Sequence, residues 1–147
     1  MLDDRLLIRD ADLPDVNAVT VLITELGYPT NTEEMQIRLT AIAQHPDYKT
    51  LVAEIDNEIV GLAGMMKGLY YEHNGSYVRI LAFVVKQNYR NRSIGKQLLK
   101  ACEDWAIAQD ANTILLNSGN RDERVAAHLF YQKMGYQIKS SGFVKTF

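Results

Sequence analysis

The chain has 147 residues, 47% hydrophobic and 23% charged, with a net charge of −2. That size supports one domain with a real core over residues 1–147, and the near-neutral balance suggests no large basic surface for nucleic acid. No apolar run is long enough to cross a bilayer, Met1-Leu2-Asp3-Asp4-Arg5 lacks the features of a secretory leader, and Cys102 is the single cysteine, so a cytoplasmic protein without nucleic acid or membrane partners is expected.

Leu6-Leu7-Ile8-Arg9 reads as a first strand. Asp12 is placed to cap a helix, with Pro14 in its first turn and Asp15 beside the positive end of its dipole. Val16, Val19, Ile23 and Leu26 recur at helical spacing until Gly27-Tyr28-Pro29 stops the helix. Asn31, with Glu34 three residues on, predicts a second helix carrying Met35, Leu39 and Ile42 inward, ended by His45-Pro46-Asp47. Two strands, 50–55 and 58–63, then meet across Asp56-Asn57 as a hairpin. Residues 67–75 read as a polar, aromatic connection.

A long strand over 77–85 follows. Strict alternation would put Val78, Ile80, Ala82 and Val84 on one face and Leu81, Phe83 and Val85 on the other, the pattern of a strand covered on both sides. The next helix turns Ile94, Leu98, Cys102, Trp105 and Ala106 inward and Lys96, Lys100 and Glu103 outward. Residues 113–117 form a short strand, and Asn120 with Glu123 predicts another capped helix reaching Met134, stopped by Gly135. Residues 136–139 and 143–146 complete the expectation as a terminal hairpin around Ser140-Ser141-Gly142. The order implies a single-domain α/β fold with a mixed, mostly antiparallel central sheet flanked by helices.

The segment Val84 to Leu99 carries the chemistry. A strand ends, a short basic turn follows, and a helix starts with small residues in its first turn. Unpaired backbone N–H groups then meet the positive end of a helix dipole, a ready site for a pyrophosphate. Arg90 and Arg92 can neutralise phosphate charge, the amides from Asn91 to Lys96 can donate, and Gly95 would let a phosphate approach the backbone.

Arg90-x-x-Ser93-x-Gly95 resembles the Arg/Gln-x-x-Gly-x-Gly/Ala motif of the GCN5-related N-acetyltransferases (GNAT). About thirty residues further on, the stretch from Ala127 through Phe130 and Tyr131 to Gly135 and Tyr136 resembles the family's Ala-x-x-Phe-Tyr-x-x-x-Gly-Phe/Tyr signature. The order of elements is similar to the family's along nearly the whole chain. Two positions depart from the motif: Ser93 stands for its first glycine and Asn91 for the common glycine after the arginine.

The resemblance implies an acyltransferase of the EC 2.3.1 class using acetyl-CoA as co-substrate, with direct transfer to a primary amine. The cofactor would lie along Phe83, Val84 and Val85 and on the turn Arg90, Asn91, Arg92, Ser93, Ile94, Gly95 and Lys96, with Asn117 and Arg124 as further contacts. The Val85 N–H would face the thioester carbonyl, and Tyr131 would act as general acid toward the departing thiolate. A small-molecule amine is the expected acceptor, lined by residues 27–31 and 70–73. Acetylation of a protein lysine or N-terminus, and a CoA-binding regulatory module without turnover, are the alternatives, and the family's habits allow a homodimer. The general base stays open among Glu54, Glu72, His73, His128 and water, because Arg79 stands on the strand where the family often has a glutamate. Three scattered histidines and one cysteine give no metal-ligand spacing.

Overall fold

Strand and helix signals in the sequence resolve, in a computed structural model, into five strands and four α-helices; the structure describes residues 5–90, 92–120 and 122–147. The strands are β1 (Leu6–Asp10), β2 (Tyr48–Ile55), β3 (Glu58–Leu69), β4 (Ser76–Val85) and β5 (Ala111–Leu116). The helices are α1 (Val16–Leu26), α2 (Thr32–Ala43), α3 (Ile94–Ala108) and α4 (Val125–Lys133). The sheet is ordered β1-β2-β3-β4-β5, and the three pairings from β1 to β4 are antiparallel. Two compact units divide the chain, Met1–Leu115 and Leu116–Phe147.

The local signals act as expected. The Asp12 side chain accepts from the Leu13 amide, and the Asp15 carboxylate reaches back to the Asp12 amide at 2.8 Å, closing a capping box. Gly27 ends α1 in the left-handed region at φ 114°, and the Asn31 side chain accepts from the Glu34 amide at 2.9 Å to start α2. Asp56 and Asn57 both have positive φ, 49° and 67°, the backbone of a two-residue hairpin turn.

Two β-bulges decide which face each side chain takes. Gly61 pairs with Ala53 and Ile59 with Glu54, so Val60 is the extra residue on β3. Gly64 pairs with Ala82 and Met65 with Ile80, so Leu81 is the extra residue on β4. An extra residue reverses the alternation beyond it. Ile59 therefore joins Val52, Leu62 and Val84 against Val19 and Leu22 of α1 and Met35 of α2. Val60 joins Ala53 and Ile55 against Ile94 of α3. The single face expected for Val78, Ile80, Ala82 and Val84 is corrected accordingly: Val78 and Ile80 lie on the α3 side with Met65, and Ala82 and Val84 on the α1 side with Leu62.

Two other expectations change. β3 runs to Leu69 rather than ending near Ala63, because Met65 to Leu69 pair with Ile80 to Ser76; the glycines at 64 and 68 conceal this continuation. A Cβ at Gly68 would fall 2.4 Å from the Tyr77 ring, so a larger residue there would push that ring aside. No strand forms over 136–147 among the described residues, and Ile138, Phe143, Val144 and Phe147 are all exposed. Without a buried face to reward alternation, the apolar residues of the expected terminal hairpin do not impose strand pairing.

Cys102 sits in the middle of α3 with 0% exposure, and burial pushes its thiol up to about 12. A thiol this protonated is a poor nucleophile. Iodoacetamide at mildly alkaline pH is expected to leave the native protein unlabelled while alkylating the urea-unfolded chain fully, as mass spectrometry would read. Rapid labelling of the folded protein would contradict the packing of α3.

Candidate active site

The exit of β4 builds the site. Its last ladder bond runs from the Lys86 amide to the Val60 carbonyl at 2.7 Å. Successive residues of a strand address opposite edges, so the N–H and C=O of Val85 point away from β3. The Val85 carbonyl accepts from the Arg90 Nε at 3.0 Å. A 3-10 turn over Gln87–Tyr89 follows, closed by the Tyr89 amide on the Lys86 carbonyl at 2.9 Å. Arg90 is extended, at φ −68° and ψ 158°, and Asn91 lies outside the described residues.

Ser93 then turns left-handed, at φ 64° and ψ 9°, and α3 begins at Ile94. The first helical bond is from the Gln97 amide to the Ser93 carbonyl at 3.1 Å. The amides of Ile94, Gly95 and Lys96 precede it, so α3 itself supplies them no acceptor. The Ser93 hydroxyl makes no capping bond. Its position in the motif is explained by backbone: the turn needs a positive φ, which glycine adopts without strain and serine does not. Ser93→Gly is expected to stabilise the protein by about 1 kcal/mol. Thermal melts should show a rise of roughly 2–4 °C; an unchanged or lower midpoint would contradict the left-handed turn.

Two carboxylates distant in sequence hold this turn, and neither was singled out from the sequence. Glu58 accepts from the Lys86 Nζ at 3.0 Å and from the Tyr89 hydroxyl at 3.3 Å. Glu25, near the end of α1, accepts from the Gln87 amide at 3.3 Å. The Lys86 ammonium is held above its ordinary pKa, chiefly by its bond to Glu58. The Arg92 guanidinium lies 5.0 Å from the centre of the Tyr89 ring. A surface acid offers no recognisable motif; only the sheet register brings the start of β3 beside the end of β4.

Phe83, Val84 and Val85 thus lie on β4, with Val84 buried beneath α1 and Phe83 and Val85 half-buried. Ile94 is buried among Ala53, Ile55 and Val60, so its backbone alone faces the turn. Arg90, Arg92 and Lys96 are exposed. These residues form one continuous strand–turn–helix in the first unit. Asn117, Arg124 and Tyr131 belong to the second. There the Arg124 Nε donates to the Ser118 hydroxyl at 3.4 Å. Tyr131 is 8% exposed, its ring 5.4 Å from that of Phe130 and 6.1 Å from that of Tyr136.

Most side chains considered as a base are already engaged. Glu54 accepts from the Arg9 guanidinium at 3.2 Å and, with Asp15, Glu58 and Lys86, lines a cavity of about 350 Å³ between α1 and the β2–β3 hairpin. The His128 Nε2 lies 2.9 Å from the Gly119 carbonyl oxygen. Glu72 and His73 are exposed in the β3–β4 turn, where Tyr70 packs on His73 and donates to the Asn112 side chain at 2.7 Å. That turn adjoins Ser76, nine residues along β4 from Val85 and so about 30 Å from the basic turn.

The family model described as "Acetyltransferase (GNAT) family" matches residues 16–136, spanning both the basic turn and the Phe130-Tyr131 segment. The chain is a GNAT acetyltransferase. A relative described as an IAA acetyltransferase, from Azospirillum brasilense, is 30% identical over 135 residues, covering 87% of this chain and 81% of the relative. A GNAT family acetyltransferase of Staphylococcus aureus subsp. aureus USA300_TCH1516 has a solved structure similar to this one. It is 36% identical with a TM-score of 0.84, over 97% of this chain and 99% of that one. Glucosamine-6-phosphate N-acetyltransferase from Arabidopsis thaliana shares the fold, with a TM-score of 0.82 at 22% identity over 97% and 98% of the two chains. The acetyltransferase activity follows from the family, whose members generally use acetyl-CoA. Among the described residues no helix is long and apolar enough to cross a membrane, and no cluster of three His, Cys, Asp or Glu could hold a metal.

Proposed function

We propose that this acetyltransferase takes acetyl-CoA on the turn from Lys86 to Lys96 and delivers the acetyl group to the primary amine of a small molecule, with residues 1–147 acting as one catalytic domain. The observation that carries the reading is the left-handed backbone at Ser93, which follows Arg90 and Arg92 and directly precedes first-turn amides to which α3 itself offers no acceptor. A diphosphate fits this donor set: backbone N–H groups at the positive end of a helix, with two guanidinium groups to balance its charge.

Acetyl-CoA supplies a thioester whose carbonyl carbon is open to an amine nucleophile. The Val85 N–H, turned away from β3, suits the carbonyl oxygen as it gains negative charge. The amine forms the new C–N bond as the C–S bond breaks. Tyr131 gives its phenolic proton to the departing sulfur, and water takes the proton lost from the amine. Asn117 and Arg124 would add contacts to the cofactor.

Calorimetric titration of acetyl-CoA, with free CoA beside it, tests the reading. Saturable binding at micromolar concentration, weakened about tenfold or more in an Arg90→Ala, Arg92→Ala double variant, is the expected result. Absence of binding at millimolar acetyl-CoA would remove the cofactor assignment.

A further inference from the structure

We propose that Glu58 is a positioning residue for the pyrophosphate-binding turn, holding both the strand exit at Lys86 and, through Tyr89, the guanidinium of Arg92. The inference rests on the acetyl-CoA reading of that turn. Glu58 is the first residue of β3, fixed by the Asp56-Asn57 hairpin opposite Ile55. One carboxylate divides its oxygens between two parts of the turn, Oε2 to the Lys86 ammonium at 3.0 Å and Oε1 to the Tyr89 hydroxyl at 3.3 Å. The Tyr89 ring in turn lies 5.0 Å from the Arg92 guanidinium. A cation over an aromatic face is held in direction as well as distance.

The arrangement suits a device for order more than for stability. Glu58 and Lys86 are partly exposed, at 43% and 30% of their side chains, and such pairs add little to folding. A turn held in its bound geometry before the ligand arrives spends less binding energy on ordering itself. The role also explains why Tyr89 bears a hydroxyl aimed at a carboxylate in a segment otherwise facing solvent.

Glu58→Gln retains shape and one acceptor but loses the charge that serves both partners. Its KM for acetyl-CoA is expected to rise roughly five- to tenfold with kcat within about twofold, the pattern of lost ground-state positioning. Tyr89→Phe should show part of the same rise, and the double variant no more than Glu58→Gln alone, since the residues act in one chain. Hydrogen exchange of the ligand-free protein supplies the independent readout: the hydrogen-bonded amides of Gln87, Tyr89, Arg90 and Gln97 should exchange severalfold faster in Glu58→Gln while those of β2 do not change. Unaltered KM and exchange would overturn the proposal. Faster exchange in a protein whose wild type binds no acetyl-CoA would overturn it as well, by showing a brace for something other than this cofactor, and would locate the failure in the cofactor reading.

Discussion

Tyr131→Phe is expected to lower kcat about 100-fold, the size of a lost general-acid contribution, with the dissociation constant for acetyl-CoA unchanged. The substitution removes one oxygen and keeps the ring, so the ring contacts with Phe130 and Tyr136 survive. A thiolate leaving without a proton donor departs as a stronger base, and the rate of the more basic leaving group falls. Better leaving groups need less help, so an acyl thioester with a more acidic thiol should recover part of the loss in the variant. Turnover by direct thiol release, together with calorimetry, makes the comparison. An unaffected kcat would remove Tyr131 from the chemistry and leave it a packing residue of α4.

The largest expected effect on stability belongs to Asp15. Its carboxylate receives two bonds from Arg9, both at 2.9 Å, and one from the Asp12 amide at 2.8 Å, while its side chain is only 8% exposed. Asp15→Ala leaves Arg9 with Glu54 and the Asp10 carbonyl and opens the helix entrance, a cost of about 2–4 kcal/mol. The midpoint of thermal unfolding should fall by roughly 5–15 °C. The bond to Arg9 holds the Asp15 carboxyl below its usual value of 3.8. A depressed folded pKa contributes stability that is complete above the unfolded value and is lost as pH falls through the folded one. The gap between wild type and variant should therefore be full at neutral pH and narrow only below 3.8, when the wild-type carboxylate takes up a proton. A constant gap down to strongly acid pH would mean that the charge of Asp15 is not what holds Arg9.

The order of elements, the caps at Asp12 and Asn31, the stop at Gly27 and the Asp56-Asn57 turn were legible because each depends on residues within four positions of one another. The motif from Arg90 to Gly95 was legible for the same reason, and the positive φ at Ser93 supplies the physical cause of the glycine that the family places there. The bulges at Val60 and Leu81 were not, because an extra residue in a strand leaves no mark in a run of consecutive apolar residues. Glu58 and Glu25 escaped notice because their partners lie 28 and 62 residues away, linked to them only through the register of the sheet and the packing of α1. The segment after Gly135, which forms no strand among the described residues, shows the converse limit: its apolar residues predict a hairpin that only a covering surface would enforce.

The bulge at Leu81 makes β4 a strand of two halves: Val78 and Ile80 before it face the α3 layer, whereas Ala82 and Val84 after it, at the same spacing in the sequence, face the α1–α2 layer. Length therefore matters in β4 as much as composition. A conservative replacement at Val78 or Val84 disturbs one layer, whereas removal of a single residue at the crossover would put the two layers out of phase together. The strand acts as a keyed shaft between two gears, and the key lies within the strand whose far end presents the Val85 backbone to the proposed thioester site.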